Sequence, residues 1–240
     1  MARSSVQKWR EALAKSAASG QVLHVQDHPF SSIDPSFVLK FIKTHFDGGT
    51  FLPKTQNYTS IPDGILLFPG TVPILTVRDP RFTVPSTYRV LQSFGLLHGS
   101  GRPNFLVSTT PIWIRLMYEF YVSRGITPLV VDADDLMTST NFIAALARQA
   151  GLDPRKLHLS WPEASEEEKA ELHPMFYASQ KNLIESTGIK AERAAKHVDF
   201  EQEMASWTIN FGRDDAVLVR EMVDSAMPHY HYLYERRFNL

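Results

Sequence analysis

The segment 74–86 reads Ile-Leu-Thr-Val-Arg-Asp-Pro-Arg-Phe-Thr-Val-Pro-Ser and constrains the fold more than any other stretch of the chain. Its first four residues predict a short buried strand that delivers Arg78 at its carboxyl end. Asp79-Pro80 breaks the strand, because proline has no amide to donate to a ladder. A helix is predicted from about Val84, with Ser86 in its first turn. A guanidinium, a hydroxyl and free helix-N-terminal amides then converge on one point, which suits a phosphate. The plainer alternative is an arginine in a surface ion pair and a serine serving as an ordinary cap.

Further apolar runs extend the pattern. Pro128-Leu129-Val130-Val131-Asp132 reads as a second buried strand, and Asp134-Asp135 leads from it toward a helix over 139–150. Val22-Leu23-His24-Val25 reads as a third. Before it, Ser4 with Gln7 forms a capping-box pattern, Val6, Trp9, Leu13 and Ala17 share one helical face, and Gly20 ends that helix. Asp34-Pro35 pairs an N-cap with proline at the first helical position, opening a helix that Gly48-Gly49 closes. Residues 48–72 form a long loop, of a length that tends to be functional or mobile. Gly99-Ser100-Gly101 is a flexible break. A helical stretch follows over 104–123, restarted or kinked at Pro111. Ser165 with Glu168 caps a helix that ends near Gly188, and Asp214 opens the last one. Strands alternating with helices predict an α/β fold in which a three-layer parallel sheet is flanked by helices, as one domain over residues 1–240.

Composition excludes several classes of function. With 25 Lys+Arg against 26 Asp+Glu there is no broad basic field for nucleic acid. The chain has no cysteine, which excludes disulfides, thiolate metal sites and a cysteine nucleophile, and fits a cytoplasmic location. No apolar stretch approaches the ~20 residues of a membrane-spanning helix, and the N-terminus lacks the apolar core of a secretory signal. His229 and His231 have no carboxylate or third histidine at metal-ligand spacing, so no metal site is expected. Glu166-Glu167-Glu168 suits the first turn of a helix and needs no other account. The oligomeric state is left open.

Histidine is suited to proton transfer near neutral pH, which makes His28, beyond the predicted strand, a candidate general base. His28 as the cap of a strand end is an equal alternative.

Taken in order, the segments 22–29, 78–86, 129–136 with Gly151-Leu152, and 207–212 resemble the sulfotransferases that use 3′-phosphoadenosine 5′-phosphosulfate. The match is to the fungal sulfotransferase-like group, with its long insertion, here residues 30–70, and it covers roughly residues 20–235. The resemblance implies a nucleoside-kinase-like core. It implies that His28 is the catalytic histidine, that Gln26 stands where a lysine supports the sulfuryl group, and that Arg78 and Ser86 hold a 3′-phosphate. Residues 129–136 resemble an architectural element of the family, in which Asp134 and Asp135 serve as helix caps. The Arg-Lys-Gly that also holds the phosphate in the family is not found upstream of Trp207.

The family's glycine- or serine-containing phosphosulfate loop belongs upstream of the histidine segment, where this sequence reads as one amphipathic helix. No G-x-x-x-x-G-K-[ST] occurs. A sulfotransferase-like core without that loop, and with an uncharged Gln26, is expected to transfer sulfate poorly. The reading that follows is a cofactor-independent enzyme acting on a small apolar molecule: a cyclase or pericyclase performing an intramolecular cycloaddition of the Diels–Alder type, or an isomerase, in fungal secondary metabolism. His28, Gln26 and Arg78 are its catalytic candidates, and His24, Phe51, Tyr58 and Trp113 its substrate-binding ones. Arg78 and Ser86 would then be a vestigial phosphate site, with no cofactor expected. The alternatives are a sulfotransferase using that phosphosulfate donor on a small hydroxylated molecule, and a non-catalytic binding protein.

Overall fold

The computed structural model describes residues 2–49, 51, 55–97 and 101–240, with the backbone alone at residues 2–6, 29 and 196. Helix α1 spans Ala2–Ser19 and ends at Gly20, whose φ of 63° is left-handed. Ser4 lies inside this helix, and the capping-box side chain falls outside the described residues, as do Gly99 and Ser100. Next come α2 (Pro29–Ser32), α3 (Pro35–Phe46) and α4 (Asp63–Leu66), then strand β1 (Ile74–Val77), α5 (Pro80–Ser93), α6 (Gly101–Thr109) and α7 (Ile112–Ser123). Strand β2 (Leu129–Asp132) leads into α8 (Ala133–Thr138), α9 (Thr140–Gln149), α10 (Glu166–Glu171), α11 (Pro174–Ile184), α12 (Phe200–Phe211) and α13 (Arg213–Tyr234).

The chain divides into two compact units and passes between them more than once: residues 1–73 with 112–128, and residues 74–111 with 129–240. The first unit is helical. Its core gathers aromatic rings from α3, α7 and the 48–72 loop. Phe41 meets Trp113 edge-on at 4.9 Å between centroids and Phe51 at 5.7 Å, and Phe37 meets Tyr58 at 4.8 Å. Such edge-to-face pairs add about 0.5–1.5 kcal/mol beyond the area they bury. Residues 21–28 are irregular and mostly exposed, so the strand expected over 22–25 does not form. Val22 is 70% exposed. Leu23 and Val25 instead line a shallow groove with Trp9 and Ala12 of α1. Strand propensity describes fitness for a half-buried pleated surface, and without a neighbouring strand a mostly apolar tetrapeptide gains nothing by extending.

The second unit holds the sheet. Among the described residues it consists of β1 and β2, paired in parallel from Ile74↔Leu129 to Val77↔Asp132. The parallel α/β arrangement is present, and the expected three layers reduce here to two strands surrounded by helices. Beyond α13 the chain runs alongside β2, where Val130 bridges Arg237 and the Phe238 amide donates to the Val130 carbonyl at 2.8 Å. Val130 and Val131 are fully buried, as is Val84 of α5, with Phe105, Trp207, Val219 and Leu233 completing this core.

Two helix boundaries differ from expectation. Helix α5 starts at Pro80, four residues early, because Asp79 caps it. The stretch 104–123 restarts at Pro111 as expected, as two helices broken at Thr110-Pro111. Ser165 and Glu168 do form the capping box, yet α10 ends at Glu171 and Pro174 opens a separate α11. Gly101 is dictated by space, since a Cβ there would come within 2.4 Å of the Leu96 carbonyl oxygen.

Candidate functional site at the strand ends

Open parallel sheets bind ligands at the carboxyl ends of their strands. Here β1 and β2 end level with each other, and the residues that follow are polar: Arg78-Asp79 after β1, and Asp132 to Asp135 at the end of β2.

Asp79 is buried, and its Oδ1 accepts from the Arg81 amide at 2.8 Å. The Arg81 guanidinium folds back on the same carboxylate, Nε to Oδ1 at 3.0 Å and Nη2 to Oδ2 at 2.6 Å. It also lies 3.5 Å above the Phe200 ring. The Phe82 and Thr83 amides donate to the Asp79 carbonyl. The first-turn amides of α5 are therefore spent, and no amide cradle for a phosphate exists at this terminus. Sequence reasoning missed the Asp79–Arg81 pair.

Arg78 is half-buried. Its Nη2 donates to the Arg193 carbonyl at 3.0 Å, its guanidinium carbon stands 5.2 Å from the centroid of Phe82, and its buried Nε has no hydrogen-bond partner. Ser86 is exposed and sits in the second turn of α5 rather than the first. It follows Phe82 by four residues, which places both on one helical face.

At the end of β2, Asp132 caps α8 by accepting from the Asp134 amide at 2.9 Å, and its other oxygen accepts from the buried Tyr230 hydroxyl at 2.9 Å. Burial pushes the Asp132 carboxyl above its ordinary range, against the two hydrogen bonds that lower it. Burial beside that carboxylate likewise raises the Tyr230 phenol. Asp134 and Asp135, expected as helix caps, do something different. Asp134 Oδ2 accepts from the Ala195 amide at 2.6 Å while its Oδ1 is buried without a partner, and Asp135 pairs with Arg237 at 3.2 Å.

A carboxyl whose folded pKa lies above its unfolded value contributes stability that is fully present below about pH 3.8 and lost as pH rises through the folded value. Asp132→Asn keeps the shape and an acceptor but removes this titration. The wild type is therefore expected to lose ground to the variant between pH 4 and pH 7 in urea melts. A stability difference constant over that range would contradict the assignment.

The remaining candidates belong to the first unit. His24, Gln26 and His28 lie in the exposed irregular segment, and His28 stacks on Phe30 at 5.6 Å. Tyr58 and Trp113 are buried and Phe51 is half-buried, all within the aromatic core. Since His28 is exposed and its described contact is a single ring, His28→Ala is expected to change stability by less than about 0.5 kcal/mol. A tenfold or greater fall in rate alongside an unchanged melting point would then report chemistry alone. Among the described residues, no group of three His, Asp or Glu side chains is placed to hold a metal ion, and no helix is long and apolar enough to cross a membrane.

No family profile matches the chain, and no solved structure does. Two fungal proteins named sulfotransferase ppzF match it, one from Metarhizium rileyi (strain RCEF 4871) and one from Metarhizium majus (strain ARSEF 297). Each is 28% identical over 254 aligned positions, covering 96% of this chain and 73% of the relative. The alignment thus includes the Arg78–Ser86 segment, both strands and the C-terminal helices. Over nearly its whole length the chain is thus similar to these sulfotransferases.

Proposed function

We propose that this chain is a small-molecule enzyme on a sulfotransferase-like scaffold that binds a nucleoside phosphate through Arg78. The observation that carries this reading is the half-buried guanidinium at the end of β1, which lies on Phe82 and holds one buried nitrogen without a partner. Guanidinium stays charged at any working pH and matches the geometry of phosphate oxygens. Ser86, on the same helical face as Phe82, offers a hydroxyl. The two Metarhizium relatives, both named sulfotransferases, support the same direction.

The donor class is 3′-phosphoadenosine 5′-phosphosulfate, which when bound supplies the sulfuryl group. The residues fit its 3′-phosphate as a guanidinium-and-hydroxyl contact and do not fit it as an amide cradle, because Asp79 takes the amides. Arg78 binds and orients the nucleotide. A role for His28 in removing a proton from an acceptor hydroxyl, with Gln26 beside it, rests on the resemblance alone.

A second reading is a cofactor-independent cyclase or isomerase. Two observations favour it: Gln26 is uncharged where a lysine is implied, and the Asp79 carboxylate occupies the start of α5. Both reduce positive charge available to an anionic donor. Such an enzyme accelerates by holding an apolar substrate in a reactive fold with one or two hydrogen-bond donors.

Calorimetric titration with adenosine 3′,5′-bisphosphate separates the readings when combined with mass spectrometry. Bisphosphate binding, together with sulfation of a phenol or alcohol from the activated donor, supports the first. A cyclised product from a lipophilic polyene without nucleotide supports the second. Failure of both assigns the chain to non-catalytic binding.

A further inference from the structure

We propose that residues 190–199 form a strap held over the strand ends by Arg78 and Asp134, and that an anionic ligand must release it to engage the Arg78 guanidinium fully. The proposal rests on the reading of Arg78 as an anion contact.

The strap consists of two single turns, Ala191–Arg193 and Ala195–His197, whose backbone hydrogen bonds reach only three residues back, as from the Ala194 amide to the Ala191 carbonyl. It has no ladder or long helix of its own to hold it in place. Two hydrogen bonds tie it to the strand ends. Arg78 donates to the Arg193 carbonyl at 3.0 Å, and the Ala195 amide donates to Asp134 at 2.6 Å. Ala194, between the two ties, is 0% exposed.

Both anchors hold polar capacity in reserve. Arg78 Nε and Asp134 Oδ1 are buried without hydrogen-bond partners, so neither anchor's hydrogen-bonding capacity is used up in the strapped state. The Arg193 carbonyl is a neutral acceptor, and a phosphate oxygen forms a bond to guanidinium roughly twice as strong. An anion therefore outcompetes the carbonyl for Arg78. Once that tie is lost, the Asp134–Ala195 bond and the burial of Ala194 are what oppose opening. Asp134 is a positioning residue in this scheme. It sets the fraction of molecules whose guanidinium is accessible, and apparent affinity falls in proportion to that fraction.

Limited trypsin digestion reads the strap directly, because the Arg193–Ala194 bond lies within it. Its carbonyl is engaged and its alanine is buried. Cleavage there is measured as a ratio to cleavage after Arg89 in α5, so that global unfolding, which exposes both bonds, leaves the ratio unmoved. In ligand-free protein, Asp134→Ala is expected to raise the ratio about tenfold, the effect of losing one hydrogen bond to a charged group. Asp134→Asn, which keeps an acceptor, should fall between. Asp134→Ala should also bind adenosine 3′,5′-bisphosphate about tenfold more tightly by calorimetry. In the wild type, saturating bisphosphate should raise the ratio.

An unchanged ratio in ligand-free Asp134→Ala overturns the latch. A bisphosphate that binds but lowers the ratio overturns displacement, since the segment would then be closing over the ligand. If the bisphosphate binds neither protein, the anion reading and ligand-driven release fall together, and the ligand-free ratio still decides the latch.

Discussion

Trp113→Ala is expected to destabilise the protein by about 3–5 kcal/mol, the range for truncating a buried large aromatic side chain. The indole is 2% exposed, packs edge-on against Phe41 at 4.9 Å, and shares α7 with the fully buried Leu116 and Phe120. Removing it leaves a cavity that these rigid neighbours fill only in part. Against a typical total of about 5–15 kcal/mol, a loss of this size shifts the urea midpoint far enough to be unmistakable. Trp113 is also a candidate substrate contact, and that role predicts something different: weaker ligand binding with an unchanged midpoint. Urea denaturation followed by circular dichroism separates them, and a midpoint close to wild type would remove Trp113 from the core.

Arg78→Ala is expected to weaken binding of adenosine 3′,5′-bisphosphate by about 30- to 100-fold, the equivalent of losing charge-assisted hydrogen bonds to a phosphate. The change removes the guanidinium, the contact with Phe82 and the tie to the Arg193 carbonyl. The last of these losses opens the strap and works in the other direction, so the measured loss is a lower bound on the phosphate contact. Arg78→Lys should recover part of the affinity, because an ammonium keeps the charge but not the fork. Calorimetry on the three proteins is the measurement. Equal affinities for wild type and Arg78→Ala would place the nucleotide elsewhere or nowhere.

What could be read from the residues alone follows the range of the interaction. Asp34-Pro35 was legible as a helix start because cap and capped amide are two residues apart, and Asp34 does accept from Ser36 at 2.9 Å. The same logic applies at Asp79-Pro80-Arg81 and at Asp153-Pro154-Arg155. In both, the aspartate accepts from the arginine amide and the guanidinium folds back on the carboxylate. Treating Asp79-Pro80 only as a strand breaker missed this signal, and with it the true start of α5 and the loss of its free amides. The strand over 22–25 failed for the opposite reason. Its three apolar residues match those of β1 and β2 in kind, but only β1 and β2 have each other.

The sequence by itself determined the two apolar strand segments, the capping box at Ser165 and the polar character of both strand ends, because each depends on residues a few positions apart. Only the tertiary structure decided what the polar groups at those ends do. Tyr230 reaches Asp132 across 98 positions, Ala195 reaches Asp134 across 61, and Arg193 reaches Arg78 across 115. No local pattern encodes such pairings. Asp134 reads as a surface cap until the chain returns to bury it, and burial then turns a solvated carboxylate into one that must find a partner.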